Sequence, residues 1–149
     1  MKMKRHAIYL LFAMLSVPLL ACGVTFALPG ARQSQIVEVY ADQAWNDTGI
    51  AIRSGDLLTI DYLAGKWSPW PGDSYDAIGS GGDPVCRCNV LNGVSHAALL
   101  GRIGDQEIFF VGDQFHHRVG EEGTLYLGIN DVDLGDNSGS LQVEVTIHR

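Results

Sequence analysis

Thr124-Leu125-Tyr126-Leu127-Gly128-Ile129, Asn130-Asp131-Val132-Asp133-Leu134-Gly135-Asp136-Asn137-Ser138-Gly139-Ser140 and Leu141-Gln142-Val143-Glu144-Val145-Thr146-Ile147 follow one another without a break near the C-terminus. The first and third stretches are rich in strand formers. In the third, Leu141, Val143, Val145 and Ile147 alternate with Gln142, Glu144 and Thr146, the period of a strand buried on one face. The middle stretch is acidic and glycine-bearing, so it predicts a loop joining two neighbouring strands. Within it the oxygen-bearing side chains of Asn130, Asp131, Asp133, Asp136 and Asn137 lie close together, and Gly135 is available for a tight turn. The loop therefore reads as a calcium site, against the plainer reading of a solvated Asp/Asn/Gly turn. An EF-hand does not fit the spacing. Counting from Asp131, Gly135 falls fifth and Gln142 twelfth, where that loop needs an oxygen donor and a glutamate.

Outward from this unit the same punctuation recurs. Ile36-Val37-Glu38-Val39-Tyr40 opens a strand after a linker from Leu28 to Gln35, and Asn46-Asp47-Thr48-Gly49 reads as a turn. Gly55-Asp56 makes a second turn into Leu57-Leu58-Thr59-Ile60-Asp61-Tyr62-Leu63-Ala64, whose β-branched and aromatic content favours a strand. Further strands are expected over Ala97 to Ile103, Glu107 to Val111 and Phe115 to Val119, separated by Gly104-Asp105 and Gly112-Asp113. Between them, residues 66 to 92 hold three prolines and repeated glycine, the composition of a long excursion that in a compact domain is functional or disordered. Nothing after the N-terminal leader keeps a helical period, and short strands at steady spacing imply an all-β, antiparallel sandwich or jelly roll.

The first 30 residues are different in kind. Lys2, Lys4 and Arg5 precede an uncharged apolar run from Ala7 to Leu28, the layout of a secretory leader. Three readings are open: a lipoprotein signal in which Cys22 of Leu19-Leu20-Ala21-Cys22 is lipidated, a signal cleaved after Ala27 or a little later, and an uncleaved membrane anchor. Each places residues 31–149, one domain in size, outside the cytoplasm. Without Lys2, Lys4 and Arg5 the seven remaining Lys and Arg face 17 Asp and Glu, a formal charge of −10. That balance argues against nucleic acid as a partner, because phosphate binding draws on basic patches. Cys86 and Cys88 flank Arg87 and are a candidate disulfide closing a small ring; free thiols, or a metal site joined by His96, are the other readings.

Asp47-Thr48-Gly49-Ile50, Gly55-Asp56, Gly65-Lys66-Trp67-Ser68-Pro69-Trp70-Pro71, Leu99-Leu100-Gly101-Arg102-Ile103-Gly104, Leu125-Tyr126-Leu127-Gly128-Ile129-Asn130-Asp131 and Asp136-Asn137-Ser138-Gly139-Ser140 together resemble the family of the calcium-dependent, galactose-binding bacterial lectin LecA (PA-I lectin). The resemblance covers nearly all of residues 31–149, and the C-terminal loop is its specific part. It implies a jelly-roll β-sandwich in which one Ca2+ ion bridges protein and sugar. By the same resemblance Asp131 is a calcium ligand that also touches the sugar, and Asp136 and Asn137 are the adjoining side-chain ligands. Main-chain carbonyls would come from Asp133 and Trp70, and sugar contacts from Asp131, Val132 and Asp136. The loop between Asp131 and Asp136 is two residues shorter than in that lectin. Where the lectin has a histidine followed by proline and a nearby glutamine against the sugar, this chain has Asp83-Pro84 and then Val85, Cys86, Arg87 and Cys88, so galactose specificity is not carried over.

The remaining candidates read as structural. His116 and His117, adjacent on a strand, face opposite sides and cannot chelate one metal together. Trp67 and Trp70 are either sugar-stacking or loop-anchoring aromatics, and Trp45 is expected in the core. No carboxylate pair and no nucleophile context points to an enzyme. The expectation is an exported, calcium-dependent carbohydrate-binding domain for a galactoside or another glycan. The other reading is a structural or adhesive envelope domain in which calcium only locks the loop. Membrane attachment in either case would run through the N-terminus.

Overall fold

The computed structural model describes residues 30–149. The leader, with Cys22 as its candidate lipidation site, lies outside the described residues. The strands are β1 (Arg32–Tyr40), β2 (Asn46–Ile52), β3 (Leu57–Ser68), β4 (Leu99–Ile103), β5 (Phe109–Phe110), β6 (Gln114–Arg118), β7 (Gly123–Ile129) and β8 (Ser138–His148). They form two four-stranded antiparallel sheets with the orders β1-β8-β3-β6 and β2-β7-β4-β5. Successive strands mostly change sheet, which is the jelly-roll topology of two interlocked Greek keys.

The alternation in β8 sets the core. Leu141, Val143, Val145 and Ile147 point inward, and register places them beside Val39 and Val37 of β1 and Tyr62, Ile60 and Leu58 of β3. From the other sheet Leu125, Leu127 and Ile129 of β7, Leu99 and Ile103 of β4, and Ile50 and Ile52 of β2 close the same cluster. Where β3 and β8 continue toward the Asn130–Asn137 loop they approach very closely. A side chain at Gly65 (φ +94°) would strike the Ser140 carbonyl, and one at Gly139 (φ +85°) the Lys66 carbonyl, so both positions need glycine on two counts. This close approach carries Trp67 inward, where it is fully buried and donates its indole N–H to Ala97 O at 2.8 Å.

The structure corrects several sequence expectations. Asn46-Asp47-Thr48-Gly49 is the opening of β2 rather than a turn between strands. The turn chemistry is real, since Gly49 N–H donates to Asp47 Oδ1 at 2.8 Å, but it sits inside the strand as a shift in register against β7 between Asp47 and Ala51. Asn46 and Thr48 point inward and bond main chain: Asn46 takes Tyr40 N–H and donates to Tyr40 O and Leu127 O, and Thr48 donates to Leu125 O at 2.7 Å. β1 starts at Arg32, not Ile36, because Arg32 to Gln35, though exposed, pair with β8 through main-chain bonds. β3 runs on to Ser68, so the long excursion begins at Pro69. Trp45 is half-buried outside the core, where it flanks the Arg102 guanidinium at 4.8 Å with Tyr126 on the other side at 5.0 Å.

Candidate functional site

β7 ends at Ile129, and the next residue anchors the site. Asn130 is fully buried and its amide is wholly engaged, accepting Leu91 N–H at 2.8 Å and donating to Leu91 O and Ser95 O at 3.0 Å each. Its side chain is therefore not a free oxygen donor, contrary to the sequence reading, but the peg on which the excursion hangs. Main-chain bonds from Ala97 N to Asn130 O and from Asn130 N to Ala98 O extend the same seam into β4. Residues 69–98 are thereby laid over the start of the Asn130–Asn137 loop.

Asp131, the next residue, is 4 % exposed. Its Oδ1 accepts Asp133 N–H at 3.0 Å, and its Oδ2 lies 3.8 Å from Nε2 of His96, itself buried. Burial pushes the Asp131 carboxyl above its ordinary pKa, and the neighbouring Asp136 carboxylate adds to that. The Asp133 N–H, His96 and Asn137 pull the other way without cancelling it. Asp136 is exposed on the same loop. Asn137 donates its amide N–H to Ala41 O at 3.1 Å. A carbonyl only accepts, so this bond fixes the amide orientation and turns Oδ1 the other way, where it is buried without a hydrogen-bond partner. Asp133 Oδ1 accepts Gly135 N–H at 3.2 Å, which tightens the loop, and Val132, 57 % exposed, donates its N–H to Cys88 O at 2.9 Å.

The excursion supplies the opposite wall. His96 is clamped between Trp70, stacked on it at 5.1 Å and 4° between planes, and Asn89, whose Oδ1 lies 2.9 Å from His96 Nδ1. Asn89 donates its amide to Asp83 O at 2.7 Å, so its oxygen must face the imidazole and Nδ1 carries the hydrogen. Trp70 is half-buried, meets Tyr75 edge-on at 5.9 Å, and its carbonyl oxygen faces the Ser68 hydroxyl. Cys86 and Cys88 are joined in a disulfide, with Cys88 Sγ 3.4 Å from His96 Nδ1. Asp131, Asp136 and Asn137 are thus brought together, Asp133 braces their loop, and Trp70 reaches them through His96. Neither His96 as a partner of Asp131 nor Asn89 behind it was foreseen. An isolated histidine in a glycine-rich stretch carries no periodic signal, and the left-handed backbone at Ala97 (φ +61°) that turns it inward is one that sequence reserves for glycine.

His116 and His117 lie far from this cluster in sequence and bond elsewhere, His116 to Thr59 at 2.9 Å and His117 against Phe115. A cleft of about 350 Å³ lies at the far end of β4, between Ile103, Phe109, Phe115 and Val119, and includes none of the residues above. Among the described residues no three His, Cys, Asp or Glu side chains converge as a metal cluster. Any cation at Asp131 would draw on amide and carbonyl oxygens as well.

The family model described as "PA-IL-like protein" matches residues 36–149. The chain belongs to the PA-IL-like family. Its PA-IL-like region is 34 % identical over 102 residues to Lectin A of Photorhabdus laumondii subsp. laumondii, covering 67 % of this chain and 80 % of that protein. Among solved structures it is similar to a PllA-like lectin, the EclA N-terminal domain, with a TM-score of 0.58 and 25 % identity over 76 % of this chain and 95 % of that one. The PA-IL-like match spans both sheets, the excursion and the Asn130–Asn137 loop, so the family resemblance read from the residues extends across the fold.

Proposed function

We propose that the domain is a calcium-dependent carbohydrate-binding module of lectin type. Membership of the PA-IL-like family and two relatives named as lectins support the carbohydrate half of this reading. One observation carries the calcium half: the buried, unpartnered Oδ1 of Asn137, held in place by the Ala41 bond on the loop that carries Asp131 and Asp136. A buried acceptor left without a donor costs about 1–3 kcal/mol, which a hard cation would offset. Asp131, Asp136 and Asn137 would hold the ion with main-chain oxygens of Trp70 and Asp133, and two carboxylates balance its charge. Bound there, Ca2+ supplies positions at which vicinal sugar hydroxyls replace water.

The chain's own residues do the rest. Asp131 is oriented by Asp133 N–H and backed by His96, so its carboxylate is preset to accept a hydroxyl hydrogen bond. Val132, its N–H spent on Cys88 O, offers a sugar its exposed side chain rather than a donor. Asp83-Pro84 and the exposed Val85 stand where the LecA-like pattern has its sugar-contacting histidine and glutamine. That departure favours a second reading, an envelope domain in which calcium locks the loop and no sugar binds. In either reading residues 1–30 export the chain.

Calorimetric titration of a panel of simple glycosides, galactosides included, into the calcium-loaded chain separates the two, with a chelated control. Heat that disappears on chelation is the expected result. Calcium binding without any glycoside heat would replace the lectin by the envelope domain.

A further inference from the structure

The excursion contains one covalent link, and it lies against the loop proposed to hold the ligand. The Cys86–Cys88 bridge encloses only Arg87, so it removes little chain entropy from the unfolded state and adds little to global stability. What it fixes is local. Around it the chain has no strand, and its own main-chain restraints are turn bonds from Cys86 N to Asp83 O and from Asn89 N to Cys86 O, each 3.2 Å, and a bond from Gly93 N to Pro84 O at 2.8 Å. Val85 beside it is 83 % exposed.

Two paths lead from the bridge to Asp131. By main chain, Cys88 O accepts the N–H of Val132, the residue after Asp131, at 2.9 Å. By side chain, Cys88 Sγ lies 3.4 Å from Nδ1 of His96, whose Nε2 stands 3.8 Å from Asp131 Oδ2. His96, Asn89 and Asp131 are buried, whereas Cys86 and Cys88 are half-buried, so the sulfurs are the part of this chain of contacts that a small reagent can reach.

We propose that the Cys86–Cys88 disulfide is a redox-controlled clamp on the Asp131 loop, which holds its ligand in the bridged state and releases it when a dithiol reductant opens the bridge. The proposal rests on the reading of Asp131–Asn137 as the ligand-holding loop. A reductant thiolate attacks one sulfur and forms a mixed disulfide, and the other cysteine leaves as a thiolate and is protonated by water. The second thiol of the reductant then attacks the mixed disulfide, freeing the remaining cysteine. The dithiol is oxidised to its cyclic disulfide, and two cysteine thiols are formed. Cys88 is then joined to Cys86 through the Arg87 main chain alone, and the carbonyl that holds Val132 gains freedom to move with it.

The test compares the full chain, bridged and reduced with dithiothreitol, by amide hydrogen exchange and by calorimetry with calcium ion alone. Cys86→Ser combined with Cys88→Ser serves as a permanently open form. Opening is expected to speed exchange at Val132 and weaken calcium binding about ten-fold each, the worth of one hydrogen bond. The unfolding midpoint should move by less than about 4 °C. Unchanged exchange at Val132 overturns the clamp, and so does faster exchange with an unchanged calcium Kd. If the bridged chain gives no calcium heat, the calcium reading falls, and exchange at Val132 alone decides the clamp: acceleration upholds it and no change overturns it.

Discussion

Residues 99–148 and residues 69–98 are both ordered, by different means. The first region is held main chain to main chain, β8 against β1 and β3 and β7 against β2 and β4, over a core of Leu, Ile and Val. The second has a single β-bridge, Trp67 to Tyr75, and is otherwise joined to the sheets by isolated main-chain bonds at Ala77, Cys88, Ala97 and Ala98 and by side-chain pins: Asn130 on Leu91 and Ser95, Asn89 on Asp83 and His96, Trp70 on His96. Burial spread over many residues fails cooperatively, whereas a segment pinned at a few polar points can open by itself. The contrast places the more easily opened region at the candidate site.

The largest effect should come from the sheets. Leu58→Ala empties a fully buried position in β3 and is expected to cost about 3–4 kcal/mol in urea unfolding, with exchange protection falling in both sheets together. Asn130→Ala should cost somewhat less, about 2–3 kcal/mol, by orphaning Leu91 N–H and the carbonyls of Leu91 and Ser95. Its exchange pattern is the sharper measurement. Protection should vanish first across residues 86–98 while β3 and β8 keep theirs, and uniform loss would erase the distinction between the two regions. Arg102→Met, which removes a guanidinium held between Trp45 and Tyr126 on the outer face, should cost about 1 kcal/mol and leave the excursion's exchange unaltered.

The smallest effect is a matter of sign. The folded chain holds the Asp131 proton more tightly than the unfolded chain, so this contribution to stability is complete below the ordinary aspartate pKa of about 3.9 and is lost as pH rises through the folded value. Asp131→Asn keeps an acceptor for Asp133 N–H but cannot ionise. With calcium chelated, its urea midpoint should gain on that of the parent chain as pH is raised from 3 to 7. A difference that stays constant with pH would show that burial of this carboxylate carries no penalty.

The strands of the sandwich were legible wherever alternation was clean, as in β8, because a half-buried strand writes its burial directly into the order of residues. β2 was hidden because Asn46 and Thr48, turn formers by type, face inward and bond the main chain of β7 and of Tyr40. Asp131, Asp136 and Asn137 were legible as a cluster because they are neighbours in the chain and need only one tight loop to meet. The His96 side of the site was not. It depends on an excursion whose path turns on left-handed backbone at Asp83 and Ala97, neither of them glycine, and on contacts spanning up to 39 residues. Asn130 shows the limit most clearly: its residue type announced an oxygen ligand, and only its three partners reveal a strut.

β1 begins at Arg32, paired with His148 at the other terminus of the domain, and ends at Tyr40, next to the Ala41 carbonyl that orients Asn137. Its nine residues, at about 3.4 Å each, span roughly 30 Å. Whatever precedes Gly30 thus leaves the sandwich at the pole opposite Asp131. A domain tethered by that end would turn the Asp131 loop, and the excursion laid over it, away from its support, in the orientation of a probe presented to whatever passes in front of it.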